Sequence, residues 1–329
     1  MTPSFRVQTL MTPDKRQLRA GVWELPEGQV PRGICVLLPG FSEFLEKYGE
    51  VAGELKARGF IVASLDWRSQ GASERRMSGN RAGHVRTFDE YDSDFAALLV
   101  QAVEPIQRAQ SVSARGPLPV IVLAHSMGSH ILLRFLHDHP RRFAGVVLIA
   151  PLLGIDTGKY SPRFTKTLTF MLNLHKASPR FVFGVEERDP LQISFENNTA
   201  TSDRERYERN RGFLQAQPFL RIYGPTFGWL GAAFSSLRRV HCRGFAEAIT
   251  TPLLVFGAGR DRISPTQPIR DFVKRLPNAN YVEIEGAEHE ILMENDAIRT
   301  RFWREFDAFA AARLAEPAPI LTVPRTPLL

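Results

Sequence analysis

The sequence predicts an α/β fold in which helices cover both faces of a parallel sheet. The first observation is that short, nearly continuous apolar runs alternate with stretches of helical periodicity, as in parallel sheets buried on both faces. The second is that this alternation stops near residue 152 and resumes near residue 249. The strand-like runs are, in order, GICVLLPG, FIVASLDW, LPVIVLAHS, FAGVVLIAP, TPLLVFGAG and NYVEIEG.

Helical stretches separate these runs, as crossover connections between parallel strands require. Those before the break are YGEVAGELKARG, TFDEYDSDFAALLVQAV and MGSHILLRFLHDH, and those after it are PIRDFVKRL and IRTRFWREFDAFAAARL. The predicted core is therefore one discontinuous domain of residues 1–151 and 249–313. The tail, residues 314–329, is rich in proline, and we expect it to be extended or disordered.

Residues 152–248 form an insertion of mostly helical pattern. Its runs FTKTLTFMLNLH and TFGWLGAAFSSL each place apolar side chains on one helical face. One interpretation is that these faces simply pack against the sheet domain. The other is a helical cap over a cleft, whose apolar underside would receive an apolar substrate.

Composition and charge exclude several classes of protein. The 329 residues are 43% hydrophobic and 23% charged, as in ordinary globular proteins. No window approaches about 18 consecutive apolar residues, and the amino terminus lacks a basic segment followed by an apolar one. We therefore expect neither a membrane span nor an export signal. The two cysteines have no metal-like spacing, so a reducing compartment, the cytoplasm, is the simplest interpretation.

The formal net charge of +7 is carried largely by arginine. Without a long basic run, zinc-finger spacing or an RNA-binding aromatic signature, nucleic acid is not an expected partner. Peripheral contact with the anionic inner membrane face is a hypothesis that the charge permits. The arginines of SDRERYERNRG stand among acids, which is typical of a solvated helix face.

Ser126 lies between a predicted strand and a predicted helix, in AHSMG. One interpretation is that it only caps the helix. The other is a nucleophile on a tight strand-to-helix turn, which needs small residues two positions to either side. Ala124 and Gly128 meet that requirement. The pentapeptide alone is a weak signal.

Asp261 and His289 follow later strands in the same way. A serine hydroxyl needs a base to take its proton, and the base needs a carboxylate to orient it. Asp261 follows the run in TPLLVFGAGRD and His289 follows NYVEIEGAE, so serine, aspartate and histidine each come at a strand end. Taken singly, Asp261 suits a turn aspartate and His289 an ion-paired residue at a helix start. All three residue types at strand ends, in this order, would rarely occur together by chance, which favours a catalytic triad.

An acyl-transfer site also needs donors for the developing oxyanion. We expect the backbone N–H of Met127, directly after the serine, to be one donor. The N–H of Phe41 is the predicted second donor, because Gly40 lets the chain turn sharply after an early strand. His125, beside the serine, is expected to point away from it.

Several separated motifs resemble those of the α/β-hydrolase family that contains monoacylglycerol lipases and bacterial lysophospholipases. PGFSEFLEKY is similar to that family's H-G-x-G-E-H-S-x-R-Y, DWRSQGAS to D-x-R-G-x-G-x-S, and RAGHVRTFDEYDSD to R-G-H-x(3)-F-x(2)-Y-x(2)-D. The segments TSDRERYERN and GPTFGWLGAA resemble cap segments of the lysophospholipase branch. The departures are Pro39 and Phe44 for histidine, and Ser42 and Ser69 for glycine, with Lys47 for arginine.

The resemblance implies an eight-stranded, mostly parallel sheet with a helical cap at residues 152–248. It also implies a serine esterase that cleaves a monoacyl lipid, a lysophospholipid or a monoacylglycerol, through Ser126, His289 and Asp261. No metal or organic cofactor is needed for this chemistry. The cap residues expected to line an acyl tunnel are Phe164, Phe170, Trp229 and Phe234.

Two alternatives stay open. The chain could be a general carboxylesterase or a peptidase on the same fold, although the cap shows no acidic cluster to grip a free amino terminus. It could also be a ligand-binding relative without turnover, but no triad residue is lost.

Overall fold

Eight strands of the described residues form one sheet. The computed structural model describes residues 5–75, 81–110, 116–156, 179–182 and 189–321. The strand order is β1-β2-β4-β3-β6-β7-β9-β10, and all neighbours are parallel except the pairs β1-β2 and β2-β4. The strands are β1 (Arg6–Met11), β2 (Gln17–Trp23), β3 (Gly33–Leu38), β4 (Phe60–Leu65), β6 (Val120–His125), β7 (Gly145–Ile149), β9 (Leu253–Ala258) and β10 (Ala279–Ile284). The predicted mostly parallel, eight-stranded α/β sheet is confirmed.

Both faces of the sheet are buried, and the side chains of each strand alternate between two cores. On β3, Ile34, Val36 and Leu38 belong to one apolar cluster, while Cys35 and Leu37 belong to the other. This alternation follows from the two-residue period of a strand, and it explains why such strands are apolar throughout.

Helices cover the two cores. One face carries α1 (Gly49–Ala57) and α8 (Asp296–Leu314), and the other carries α2 (Asp89–Leu98), α4 (Met127–Asp138) and α7 (Thr266–Val273). The remaining helices described are α3 (Glu104–Gln110), α5 (Arg204–Ala216) and α6 (Phe227–Val240). Among the described residues, no helix combines the length and apolarity needed to cross a membrane.

The described part of the insertion between β7 and β9 contains two α-helices, α5 and α6, together with short helical turns. Helix α6 is joined to α4 by buried polar contacts, because His130 Nε2 lies 2.7 Å from Ser236 Oγ and Arg134 donates to the same oxygen at 3.0 Å. A short parallel pair, β5 (Ala82–Gly83) with β8 (Gly224–Pro225), joins the insertion to the core a second time. The division of the chain into core and cap at residues 152 and 248 stays a prediction.

Candidate active site

Ser126 lies on a strained turn between β6 and α4. Its backbone has φ 48° and ψ −113°, outside the regions that L-residues prefer, and such a conformation costs about 1–3 kcal/mol. Its side chain makes no capping hydrogen bond to α4, so the helix-cap interpretation does not account for it. A Cβ at Gly128 would lie 2.6 Å from the carbonyl oxygens of Leu38 and Pro39. The small flanking residue is therefore required by the close approach of two backbone segments.

Asp261 and His289 are hydrogen-bonded to each other. His289 Nδ1 lies 2.7 Å from Asp261 Oδ2, and both side chains are nearly inaccessible to solvent. Asp261 Oδ1 also accepts the N–H groups of Ile263 and Ser264, each at 2.8 Å. Burial disfavours the carboxylate, but the bond and charge of His289 and these two N–H donors hold the pKa of Asp261 below its usual value.

The acids beside His289 have other partners. Glu288 binds Arg262, and Glu290 binds Lys47. Asp261 accepts a hydrogen bond from Nδ1–H of His289. The neutral ring is therefore the tautomer with its proton on Nδ1 and its lone pair on Nε2. This is the arrangement that a general base requires.

Ser126 and His289 line the same cavity, which has a volume of about 390 Å³. Phe41 also lines it, and the Phe41 ring packs on Trp229 with 4.7 Å between ring centroids. Met127 is the first residue of α4, so its N–H has no partner in the helix ladder. The structure thus brings the three triad candidates and both oxyanion candidates to one region.

Ser42, directly after Phe41, stands where the family pattern has glycine, and the backbone conformation there is one that glycine adopts without strain. Ser42 has φ 63°, in the left-handed region, and its N–H donates to Gln70 Oε1 at 2.5 Å. Ser69, the other serine that replaces a family glycine, has φ 61°. Both substitutions keep the loop conformations that glycine favours.

The predicted cap contacts are only partly described. Phe164 and Phe170 lie outside the described residues. Trp229 is buried against Phe41 and Phe88, and Phe234 packs on the same core. Within the described part of the chain, neither of these two lines the cavity, so Trp229 lies behind the oxyanion candidate. A substrate-lining role for the four residues stays a prediction.

Helix α5 supplies four of the side chains of the insertion that line the cavity, and the sequence pattern did not single them out for this role. Tyr207, Asn210, Arg211 and Leu214 face it. The interpretation of the α5 arginines as a solvated face was wrong for most of them. The side chains of Arg206 and Arg211 are only 12% and 20% exposed, and Arg209 pairs with Glu50 of the core. The pattern within one helix could not show that carboxylates of the core would meet these cations.

The fold and the site define an α/β-hydrolase. Residues 29–296 match the family described as serine aminopeptidase, S33, and the chain belongs to this family. It is 33% identical to lysophospholipase L2 of Escherichia coli K12 over 277 residues, covering 81% of this chain and 77% of that protein. It is 27% identical to a monoacylglycerol lipase of Mycolicibacterium smegmatis over 266 residues, covering 80% of this chain and 83% of that protein.

A soluble variant of monoglyceride lipase from Saccharomyces cerevisiae, solved with a substrate analog, has the same fold. The TM-score is 0.74 at 18% identity, covering 95% of this chain and 96% of that one. The resemblance to the lysophospholipase and monoacylglycerol lipase family is confirmed, and so is the prediction of a carboxylic ester hydrolase.

Proposed function

We propose that this enzyme hydrolyses the carboxylic ester of a lysophospholipid through Ser126, His289 and Asp261. The observation that carries the proposal is the Asp261–His289 pair, which opens onto the same cavity as the strained Ser126. His289 Nε2 takes the hydroxyl proton as Ser126 Oγ attacks the acyl carbon. The N–H groups of Met127 and Phe41 donate to the oxyanion.

The tetrahedral intermediate then expels the glycerol oxygen, to which His289 returns the proton. Water repeats the sequence on the acyl-enzyme: His289 takes a proton from water, hydroxide adds to the acyl carbon, and Ser126 leaves as the hydroxyl with that proton. The fatty acid is released. Asp261 keeps the imidazole in the required tautomer and stabilises the imidazolium that forms in each half-reaction.

The cavity wall supports an amphiphilic substrate with one acyl chain. Part of the wall is apolar, and another part carries amide, hydroxyl and charged groups. The apolar members are Phe41, Phe44, Pro190, Ile193, Leu214, Ile222 and Ile263; the polar members include Asn197, Asn198, Thr199, Tyr207, Asn210 and Arg211. A fatty-acyl ester with a polar head matches both parts.

Arg211 favours a phosphate-bearing head over glycerol alone. Its Nη1 donates to the Ile193 carbonyl at 2.5 Å. Its Nε lies 3.1 Å from the carboxylate of Glu208, which is half exposed. Asn210 Oδ1 next to it is buried and has no hydrogen-bond partner among the described residues. A guanidinium and an amide at the wall suit a phosphodiester and its neighbouring hydroxyl. The 33% identity to a lysophospholipase supports the same choice.

Fatty-acid release tests this proposal. A lysophospholipid and a monoacylglycerol with the same acyl chain are compared, and we expect faster turnover of the lysophospholipid. Ser126→Ala should lose about 10⁴-fold or more in kcat, while Ser93→Ala on α2 should retain full activity. Full activity of Ser126→Ala would exclude the mechanism. Fatty-acid release from the monoacylglycerol but not from the lysophospholipid would exclude a phosphate-bearing head group.

Peptidase activity is the alternative suggested by the family description. A peptidase that binds a free amino terminus needs an uncompensated carboxylate. The two carboxylates on the described cavity wall, Glu43 and Glu290, are both bound to Lys47, and Glu43 also contacts His125. An amino-acid anilide assay should therefore show no turnover.

Contact with an anionic membrane surface is part of the proposal. Ile193 and Ile263 line the cavity and are 38% and 41% exposed, and Arg262 beside Ile263 has a side chain that is 58% exposed. Exposed apolar side chains with cations favour an anionic interface by up to about 1 kcal/mol per cation. We expect sedimentation with phosphatidylglycerol vesicles that weakens with salt. Equal sedimentation with neutral vesicles would contradict this.

A further inference from the structure

His125 occupies the last position of β6, directly before Ser126, and its ring lies between the oxyanion loop and the loop that carries His289. Nδ1 lies 3.1 Å from Glu43 Oε2, and Nε2 lies 3.2 Å from the carbonyl oxygen of His289. The residue is 4% exposed. A Cβ at Gly40 would lie 2.9 Å from Nδ1 and 2.8 Å from Glu43, so the oxyanion loop is in direct contact with this ring.

Both groups that face the ring nitrogens are hydrogen-bond acceptors. A peptide carbonyl cannot donate, and a carboxylate that is ionised cannot donate either. A neutral imidazole would place one lone pair against an acceptor inside a buried site, which costs about 1–3 kcal/mol. Only the doubly protonated ring satisfies both contacts.

The charges around the ring favour the same state. Lys47 Nζ lies 2.7 Å from Glu43 and 2.6 Å from Glu290. Tyr48 O–H donates to Glu43 at 2.6 Å, and the Gly40 N–H donates to the same carboxylate. Two carboxylates therefore face one ammonium group, and an imidazolium at His125 makes the buried set neutral.

The groups that bear on the charge of the ring come from every element packed around it. They are Glu43, Lys47 and Tyr48 of the oxyanion segment, and His289, Asp261 and Glu290 from the loops after β9 and β10. Burial disfavours the charged ring, but the charge of Glu43 and its hydrogen bond raise the pKa of His125 above its usual value. Burial likewise opposes ionisation of Glu43, and Lys47 and His125 hold the pKa of Glu43 well below its usual range.

We propose that His125 is a positioning residue that remains an imidazolium at the working pH and ties the oxyanion loop, through Glu43, to the backbone of the catalytic base, His289. The ring thereby fixes the loop of Phe41 and the loop of His289 relative to each other across Ser126. This inference rests on the proposed function, since it assumes that His289 is the base. His125 also lines the cavity, but it acts through Glu43 and the His289 backbone and takes no part in proton transfer.

Imidazole nitrogen-15 NMR of the full chain tests the charge state without any variant. We expect protons on both ring nitrogens of His125 at about pH 7.5, where a histidine of ordinary pKa, about 6.5, is mostly neutral. His125→Gln assigns the resonance. A ring nitrogen of His125 that carries a lone pair at about pH 7.5 would overturn the proposal.

Two amide variants test the positioning role. The Gln side chain places its amide near the position of Nε2, so that His125→Gln keeps a donor for the His289 carbonyl. The Asn side chain places its amide near Nδ1, so that His125→Asn keeps only the donor for Glu43. His125→Phe keeps the ring shape and neither donor.

With the lysophospholipid, we expect kcat to fall about 10²-fold in His125→Phe with KM within about 2-fold, because a small displacement of the base has an effect of that size. His125→Gln should recover more of kcat than His125→Asn. His130→Phe, which removes another buried histidine bonded to a carbonyl and a hydroxyl, should lower stability without this fall in kcat.

Equal kcat in His125→Phe and wild type, with both folded, would overturn the inference and leave the proposed function intact. Activity in Ser126→Ala would instead overturn the proposed function. The two failures are therefore distinguished by which variant keeps its turnover.

Discussion

Arg206 on α5 donates to both carboxylate oxygens of Glu50 on α1, at 2.7 and 2.9 Å. Arg209 of α5 and Arg299 of α8 bind the same carboxylate at 2.6 and 2.7 Å. One core acid therefore holds helix α5, whose other side chains line the cavity. This contact explains how a helix of strongly polar sequence comes to cover the candidate active site.

The ion pairs of Glu50 make the stability of the fold depend on pH. Burial opposes its ionisation, but the three arginines lower the pKa of Glu50 from 4.5 to about 2. Because the folded pKa lies below the unfolded one, the stability contribution is present above about pH 4.5 and is lost as the pH falls towards about 2. Discounted for partial exposure, the contribution is about 1–2 kcal/mol.

Glu50→Gln should therefore be less stable than wild type at neutral pH by about this amount, and the difference should vanish towards about pH 2 if the chain remains folded there. Urea denaturation at a series of pH values measures it. Glu305→Gln, which removes an exposed partner of Arg304, serves as the control and should change little. A difference that does not depend on pH would refute the assignment.

Asp261→Asn should lower kcat by about 10³–10⁴-fold with little change in KM, because the amide orients the wrong tautomer of His289. The asparagine oxygen can still accept the N–H groups of Ile263 and Ser264, so the thermal midpoint should move little. Steady-state kinetics and a melting curve on the same sample check both. Activity within about ten-fold of wild type would show that the carboxylate does not act on the base.

Gly128→Ala should destabilise the fold by several kcal/mol or prevent folding, since a Cβ would lie 2.6 Å from two rigid carbonyl oxygens. Gly212→Ala on α5 is the matched control. A Cβ there meets nothing within 4 Å, and alanine in a helix interior is more stable than glycine by about 0.5–1 kcal/mol. Equal stabilities of the two variants would contradict the close approach at Ser126.

Arg211→Gln should separate the two lipid substrates. We expect kcat/KM for the lysophospholipid to fall about 10-fold, as loss of one charge-assisted phosphate contact implies, with the monoacylglycerol within about 2-fold. Arg204→Gln on the same helix removes an exposed cation that pairs with Glu196 and should affect neither. An equal loss on both substrates would assign Arg211 to cap structure rather than to the head group.

The sheet was predictable because β3, β4, β6, β7 and β9 lie inside it, are buried at every position and are almost entirely apolar. The strands β1 and β2 were not singled out, since β1 is at the edge and mixes exposed and buried positions. The turn at Ser126 and the strand-end positions of Asp261 and His289 are local features, which sequence spacing reveals.

Contacts between distant segments could not be predicted in this way. His125 was set aside because it was expected to point away from the serine. Its partners, Glu43 and the His289 carbonyl, come from separate loops, which the sequence does not bring together. The α5 arginines were assigned to solvent because they stand among acids in the sequence, and their core partner Glu50 lies 156 residues before Arg206. Both cases depend on tertiary pairing of charges, which no local pattern encodes.

The most direct test of the central claim is mass spectrometry of the enzyme quenched during its first turnover of a lysophospholipid. We expect the peptide containing Ser126 to gain the mass of the fatty acid less one water, and Ser126→Ala to gain none. An acyl group on another residue would contradict the assignment of Ser126 as the nucleophile, as would continued turnover by Ser126→Ala.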